Sequence, residues 1–257
     1  MMLCHTPNII DVLLGRGSER TLDAETLIKH VHQRVQQSMK DTLEYDTVTE
    51  GSEQFLRNRI LQSMNMAVLC IDLVGSTQMV LNLPKEQISK IFTIFAQEMA
   101  YIIRCQGGYV LKFMGDAVIG YFVSEKSPSV AANRSIYCAK SMIKVLKRGI
   151  NPVLQENNLP ELQIRIGIDY GENTVVLYGN DANAHVDLLG PSINVASKIQ
   201  NLVETNQIAV GEDIYTKLHP IMQKSLTLRN PEFSWNYRSK KTGKTYPIYV
   251  HRTGLEN

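Results

Sequence analysis

"YVLKFMGDAVIGYFV", residues 109–123, decides the fold. It is two short apolar runs joined at Gly115-Asp116, and a two-residue Gly-Asp connection between strand-like runs reads as a tight β-hairpin. Gly115 allows the sharp reversal. Asp116 is harder to place, because a carboxylate set among apolar strands is costly unless it meets a cation, a hydrogen-bond donor or a metal.

The surrounding segments alternate between strand and helix. "NMAVLCIDLV", residues 65–74, is a continuous apolar run closed by Gly75, the mark of a buried central strand. "LPKEQISKIFTIFAQEMAYIIRCQGG" follows, with Pro84 at a helix start, Ile88, Ile91, Phe92, Phe95, Met99 and Ile102 at helical spacing, and Gly107-Gly108 as a stop. After the hairpin, "SPSVAANRSIYCAKSMIKVLKRGI" places Ile136, Ala139, Ile143 and Leu146 on one helical face. "LQIRIGIDYG" and "TVVLYG" are expected to form another strand pair, "GPSINVASKIQNLV" a third helix, and "TYPIYVHR" a last strand. The order β, α, β, β, α, β predicts an α+β fold with a ferredoxin-like split βαβ core and helices on one face of the sheet.

Ahead of this core, Ile28, Val31, Val35, Met39 and Leu43 recur at spacings of three and four, with Asp23 as N-cap, so residues 21–45 read as an amphipathic helix. Its narrow apolar stripe suits packing on a partner helix or on the following domain. His30 and His32 lie two apart, do not share a face, and read as solvated. Residues 1–60 are therefore expected to form an N-terminal arm and helix with a dimerisation or regulatory role, and residues 61–257 the main α+β domain.

A net charge of +2 in 257 residues is too mild to attract duplex nucleic acid or an anionic membrane by bulk electrostatics. No apolar run approaches the ~20 residues of a membrane span. Cys4, Cys70, Cys105 and Cys138 are widely spaced with no CxxC pair, and three lie in apolar runs, so free thiols in a reducing, cytoplasmic setting are expected.

Asp72, in the first strand, and Asp116, at the hairpin tip, are expected to converge at one end of the sheet, because the first strand of a split βαβ unit lies beside the hairpin. Paired carboxylates repel unless a cation sits between them, and oxygen ligands of this kind suit Mg²⁺ completed by substrate phosphates. Taken singly, Asp72 reads equally as a turn cap and Asp116 as a hairpin residue.

The four segments "AVLCIDLVGST", "GGYVLKFMGDAVIGYF", "LQIRIGIDYG" and "DLLGPSINVASKI", in this order across roughly residues 64–220, resemble the catalytic domain of the class III adenylate and guanylate cyclases. The resemblance implies a nucleoside triphosphate substrate, conversion of ATP to 3′,5′-cyclic AMP and pyrophosphate, and two divalent metal ions, Mg²⁺ or Mn²⁺, held by Asp72, Asp116 and the backbone carbonyl of Leu73. It implies that Lys112 and Asp187 read the base, that Asn194 orients the ribose, and that Lys198 stands where the family usually has an Arg on the α-phosphate. Lys is not a neutral exchange for Arg at a phosphate. Lys244, with Lys240 and Lys241 as neighbours in "RSKKTGKTYPIYV", offers the basic residue for the triphosphate. Ser76 stands where many members have Phe. The metal and base-reading pairs lie on opposite sides of the fold in this expectation, so a homodimer with shared sites is implied. Two other readings remain: a uridylate or cytidylate cyclase like those of bacterial antiviral signalling, and a non-catalytic nucleotide-sensing domain. A diguanylate cyclase is disfavoured because the Gly-Gly-Asp-Glu-Phe signature is lacking.

Overall fold

The computed structural model describes residues 22–40, 48–125, 127–179, 184–229 and 235–251. Cys4, Leu43 and the N-terminal arm lie outside the described residues. Helices α1 (Ala24–Lys40) and α2 (Glu50–Arg57) precede strand β1 (Ser63–Leu73), followed by α3 (Ser76–Asn82), α4 (Lys85–Cys105), β2 (Tyr109–Met114) and β3 (Ala117–Phe122). Next come α5 (Pro128–Val145), a π-helical turn at Leu146–Ile150, α6 (Asn151–Glu156), β4 (Ile164–Tyr178), β5 (His185–Leu189) and α7 (Pro191–Asn201). The chain continues through β6 (Ile208–Gly211), α8 (Glu212–Tyr215), α9 (Pro220–Lys224), β7 (Leu226–Arg229) and β8 (Ile248–His251).

The sheet order is β2-β3-β1-β4-β6-β8-β7, with β5 paired to β4. Its first four strands are the split βαβ arrangement, with β1 central beside the hairpin. At the hairpin turn Met114 pairs with Ala117 and Gly115 takes a left-handed φ of 62°, open to glycine without steric cost.

Strand β1 is buried on both faces because its alternate residues enter different cores. Ala67, Leu69, Ile71 and Leu73 join the core under α1, α4 and α5, while Met66, Val68 and Cys70 join a second core with Leu56 of α2 and Ala196 of α7. The expectation of helices on one face is thus corrected: α2 and α7 cover the other. Gly167 makes room for α7, since a Cβ there would stand 2.2 Å from the Ala196 carbonyl oxygen.

The expected pairing of "LQIRIGIDYG" with "TVVLYG" is also corrected. Both belong to the single strand β4, which is held straight by β1 along its length, from Ser63↔Thr174 to Leu73↔Ile164. The partner of "TVVLYG" is β5. Gly171 reads as a turn, yet it lies within the strand, where a Cβ would meet Ser192 of α7 at 3.2 Å.

Helix α1 is capped as expected: the Thr26 backbone N–H donates to Asp23 at 3.0 Å. Leu27, Ile28, Val31 and Val35 are buried in the main core, so its apolar stripe packs on the body of its own chain. His30 Nδ1 lies 3.2 Å from the Tyr101 hydroxyl, and His32 Nδ1 3.2 Å from the Gly149 carbonyl. Cys70, Cys105 and Cys138 are buried. Among the described residues no helix is long and apolar enough to cross a membrane.

Candidate active site

Asp72 is the part-buried residue just before Leu73 closes β1, and Asp116 follows Gly115 at the hairpin tip. The register sets Asp72 opposite Ala117, the residue after Asp116, so the two carboxylates meet at one end of the sheet. Burial, then the charge of Asp116, push the Asp72 carboxyl above its ordinary range, and Arg165 pulls it back. Arg165 stands opposite Asp72 on β4, and its Nη2 donates to Asp72 Oδ2 at 3.2 Å. Arg165 Nε is buried without a hydrogen-bond partner, so this guanidinium has donor capacity to spare. The Ser76 hydroxyl donates to Asp116 Oδ2.

This end of the sheet fits a hard divalent cation. The carboxylates offer oxygen ligands, and they repel in a partly buried setting where Asp72 is offset by the Arg165 guanidinium and the Gln200 side chain and Asp116 by the Ser76 hydroxyl. Among the described residues no cluster of three His, Cys, Asp or Glu side chains forms a metal cage. Two carboxylates suit a hard divalent cation held by few protein groups and completed by phosphate oxygens. Leu73, whose side chain is buried in the core, has only its backbone carbonyl to offer as a ligand.

Lys112 and Asp187 come together: Lys112 Nζ lies 2.5 Å from Asp187 Oδ2, with both side chains part-buried. A β-bulge between Val110 and Lys112 turns Lys112 to the α7 side of the sheet. It lies in a row with Ile119 and Cys70, two residues along β1 from Asp72. The Asp72–Asp116 and Lys112–Asp187 pairs therefore share one face, roughly 12 Å apart by strand geometry, not opposite sides of the fold. The reason is the period of two along β1, which sends Cys70 and Asp72 to the same face.

Asn194 and Lys198 lie exposed, one turn apart on α7. Lys241 is engaged by Asp213 at 3.0 Å, whereas Lys240 and Lys244 are exposed. The loop bearing them is anchored by Tyr246, whose hydroxyl donates to Asp169 Oδ1 at 2.8 Å and whose carbonyl accepts from Trp235 Nε1 at 2.9 Å. Burial pushes the Asp169 carboxyl up to about 8. Arg165 and Asp169 went unnoticed in the sequence. Each alternates with Ile on β4, a pattern that also describes a solvated strand face.

The adenylate and guanylate cyclase catalytic domain profile matches residues 60–249. A cytidylate cyclase of Staphylococcus aureus is 31% identical over 150 residues, covering 57% of this chain and 36% of that protein. A uridylate cyclase of Burkholderia cepacia is 28% identical over 152 residues, covering 59% of this chain and 65% of its own length. The match thus spans little more than a third of the Staphylococcus aureus protein. Among solved structures, the adenylyl cyclase CyaB from P. aeruginosa superposes with a TM-score of 0.62 at 22% identity, over 76% of this chain and 98% of that one. That likeness is one of fold.

Proposed function

The chain belongs to the class III adenylate and guanylate cyclase family, and on that premise we propose that it is a nucleotidyl cyclase whose ribose 3′-oxygen attacks the α-phosphate. The new bond joins the 3′-oxygen to the α-phosphorus, the bond from that phosphorus to the β-phosphate's bridging oxygen breaks, the hydroxyl proton is lost, and pyrophosphate departs. The observation that carries this reading is the meeting of Asp72 with Asp116 on the same sheet face as the Lys112–Asp187 pair.

Asp72, Asp116 and the Leu73 carbonyl would hold two divalent cations, Mg²⁺ or Mn²⁺, which when bound supply Lewis acidity at the 3′-hydroxyl and the phosphates. Arg165, beside Asp72 with an unused donor, faces the triphosphate, and Lys244 or Lys240 reaches it from the C-terminal loop. Asn194 orients the ribose. Lys198 offers charge to the α-phosphate, without the planar fork that Arg would bring.

Lys112 donates to a ring nitrogen while Asp187 accepts from an exocyclic amine. Cytosine and adenine both present that pair side by side, whereas uracil reverses donor and acceptor. CTP is the first reading, because cytidylate cyclases stand among the relatives at 31% identity. ATP is the second, on the Lys112–Asp187 pattern itself. A second copy laid antiparallel on this face would set the carboxylate end of one chain against the base-reading end of the other. Exposed Met114 on the hairpin, with Val80 and Leu81 on α3, supplies apolar contact for such a homodimer.

Purified protein incubated with each of the four nucleoside triphosphates and Mn²⁺ decides the reading by mass spectrometry of the products. Cyclic CMP as the main product is expected, with cyclic AMP next. Cyclisation of GTP or UTP alone would overturn the base assignment, and no product from any nucleotide would return the chain to the sensing role.

A further inference from the structure

Helix α2 lies ahead of the region that matches the cyclase profile, yet it touches both strands that carry the base-reading pair. Those strands are not neighbours. β2 is the edge of the sheet, β5 hangs from β4, and β3 and β1 lie between. On the β2 side the Phe55 ring stacks on Tyr109 with centroids 4.7 Å apart, Tyr109 stacks on Tyr121 at 5.2 Å, and Ser52 Oγ is 3.0 Å from the Tyr121 hydroxyl. Arg59 covers the outer face of Phe55 at 3.9 Å. On the β5 side Arg57 Nη2 donates to the Ala184 carbonyl at 2.7 Å. Leu56 is buried between them with Leu111, Val186 and Leu188.

Both anchors sit three residues from a base-reading side chain: Tyr109 precedes Lys112, and Ala184 precedes Asp187. We propose that α2 is a brace that sets the separation of Lys112 and Asp187, making Phe55 and Arg57 positioning residues for recognition of the nucleotide base. This rests on reading Lys112 and Asp187 as the base-reading pair. A base edge must meet an ammonium and a carboxylate in register, and misplacement by about 1 Å costs up to about a hundredfold in rate. The sheet alone leaves that spacing to two strands that share no backbone pairing and meet through the Lys112–Asp187 contact itself. Helix α2 ties them with a ring stack at one end and a charge-assisted hydrogen bond at the other. Its grip is at the start of β2, away from Asp116, so the carboxylate end is outside its reach.

The test compares the parent protein with Phe55→Leu, which keeps apolar bulk and removes the stack, and Arg57→Gln, a polar change at a part-exposed position expected to leave folding intact. Nucleotide KM and preference, Mn²⁺ affinity by electron paramagnetic resonance without nucleotide, and acetylation of Lys112 followed by mass spectrometry are measured on each. Expected are a rise in KM of about fivefold or more with altered preference among nucleotides, and Lys112 labelling raised by about threefold or more, with Mn²⁺ affinity kept within about twofold. Unchanged Lys112 labelling in folded Arg57→Gln protein would overturn the brace. A parent protein that cyclises no nucleotide would sink the cyclase reading instead, and the labelling result would still decide whether α2 holds Lys112 in place.

Discussion

Ser76 opens α3 directly after Gly75, whose φ of 74° is left-handed, and that turn aims the hydroxyl across to Asp116 Oδ2. A Phe at this position has no donor, so here one carboxylate oxygen is held and the other is left to face a cation. Partners behind a metal ligand typically govern affinity by about 10–100-fold. Ser76→Ala is therefore expected to weaken Mn²⁺ binding by about tenfold in a calorimetric titration without nucleotide, while Ser76→Thr keeps most of it. Equal affinity in all three proteins would show that the hydroxyl does not orient Asp116. Asp72 and Asp116 were legible in the sequence because each interrupts an apolar run. Asp169 was not, because alternation along β4 hides whether the second face is wet. The Tyr246 hydroxyl, together with β6 at Gly211, makes that position interior.

Helix α1 shows what an element's pattern leaves open. Its stripe of Leu27, Val31 and Val35 predicts a helix, and the structure shows what the stripe covers: the core shared with α4 and α5. Arg34 Nε donates to both oxygens of Glu98 on α4 at 3.1 Å and its guanidinium lies 4.6 Å over the Tyr101 ring. Glu98 is 2% exposed, and burial raises its carboxyl to about 7 against the pull of Arg34. A raised acid binds its proton more tightly when folded. Its contribution to stability is therefore full below about pH 4.5, where the unfolded chain titrates, and is lost as pH rises towards 7. Between these values Glu98→Gln is expected to gain on the wild type by up to about 1.4 kcal/mol per pH unit, read from denaturant melts at several pH values. Parallel pH profiles for the two proteins would refute a proton-linked Glu98. Arg34→Ala is expected to lower stability by about 3 kcal/mol near pH 8, because it strands a buried charge.

At the scale of the whole molecule, the Asp72–Asp116 end and the Lys112–Asp187 end share a face, which makes the proposed two-fold assembly testable by mixing. Lys112→Ala and Asp116→Ala chains, each inactive alone, are expected to recover about a quarter of wild-type turnover at equal ratio once subunits exchange. Half of the dimers are then mixed, and each mixed dimer holds one intact site of two. Exchange without recovered turnover would place each site within one chain. The sequence by itself determined the βαββαβ order, the hairpin at Gly115-Asp116 and the identity of the paired carboxylates, because these rest on local periodicity, turn chemistry and the cost of a charge among apolar neighbours. The tertiary structure decided the rest: that β4 runs unbroken through Gly171, that α2 and α7 close the second face, that Arg165 backs Asp72, and that Lys112 meets Asp187. Each of these depends on strand register and on helices crossing the sheet, and contacts between residues tens of positions apart leave no periodic trace in the chain that makes them.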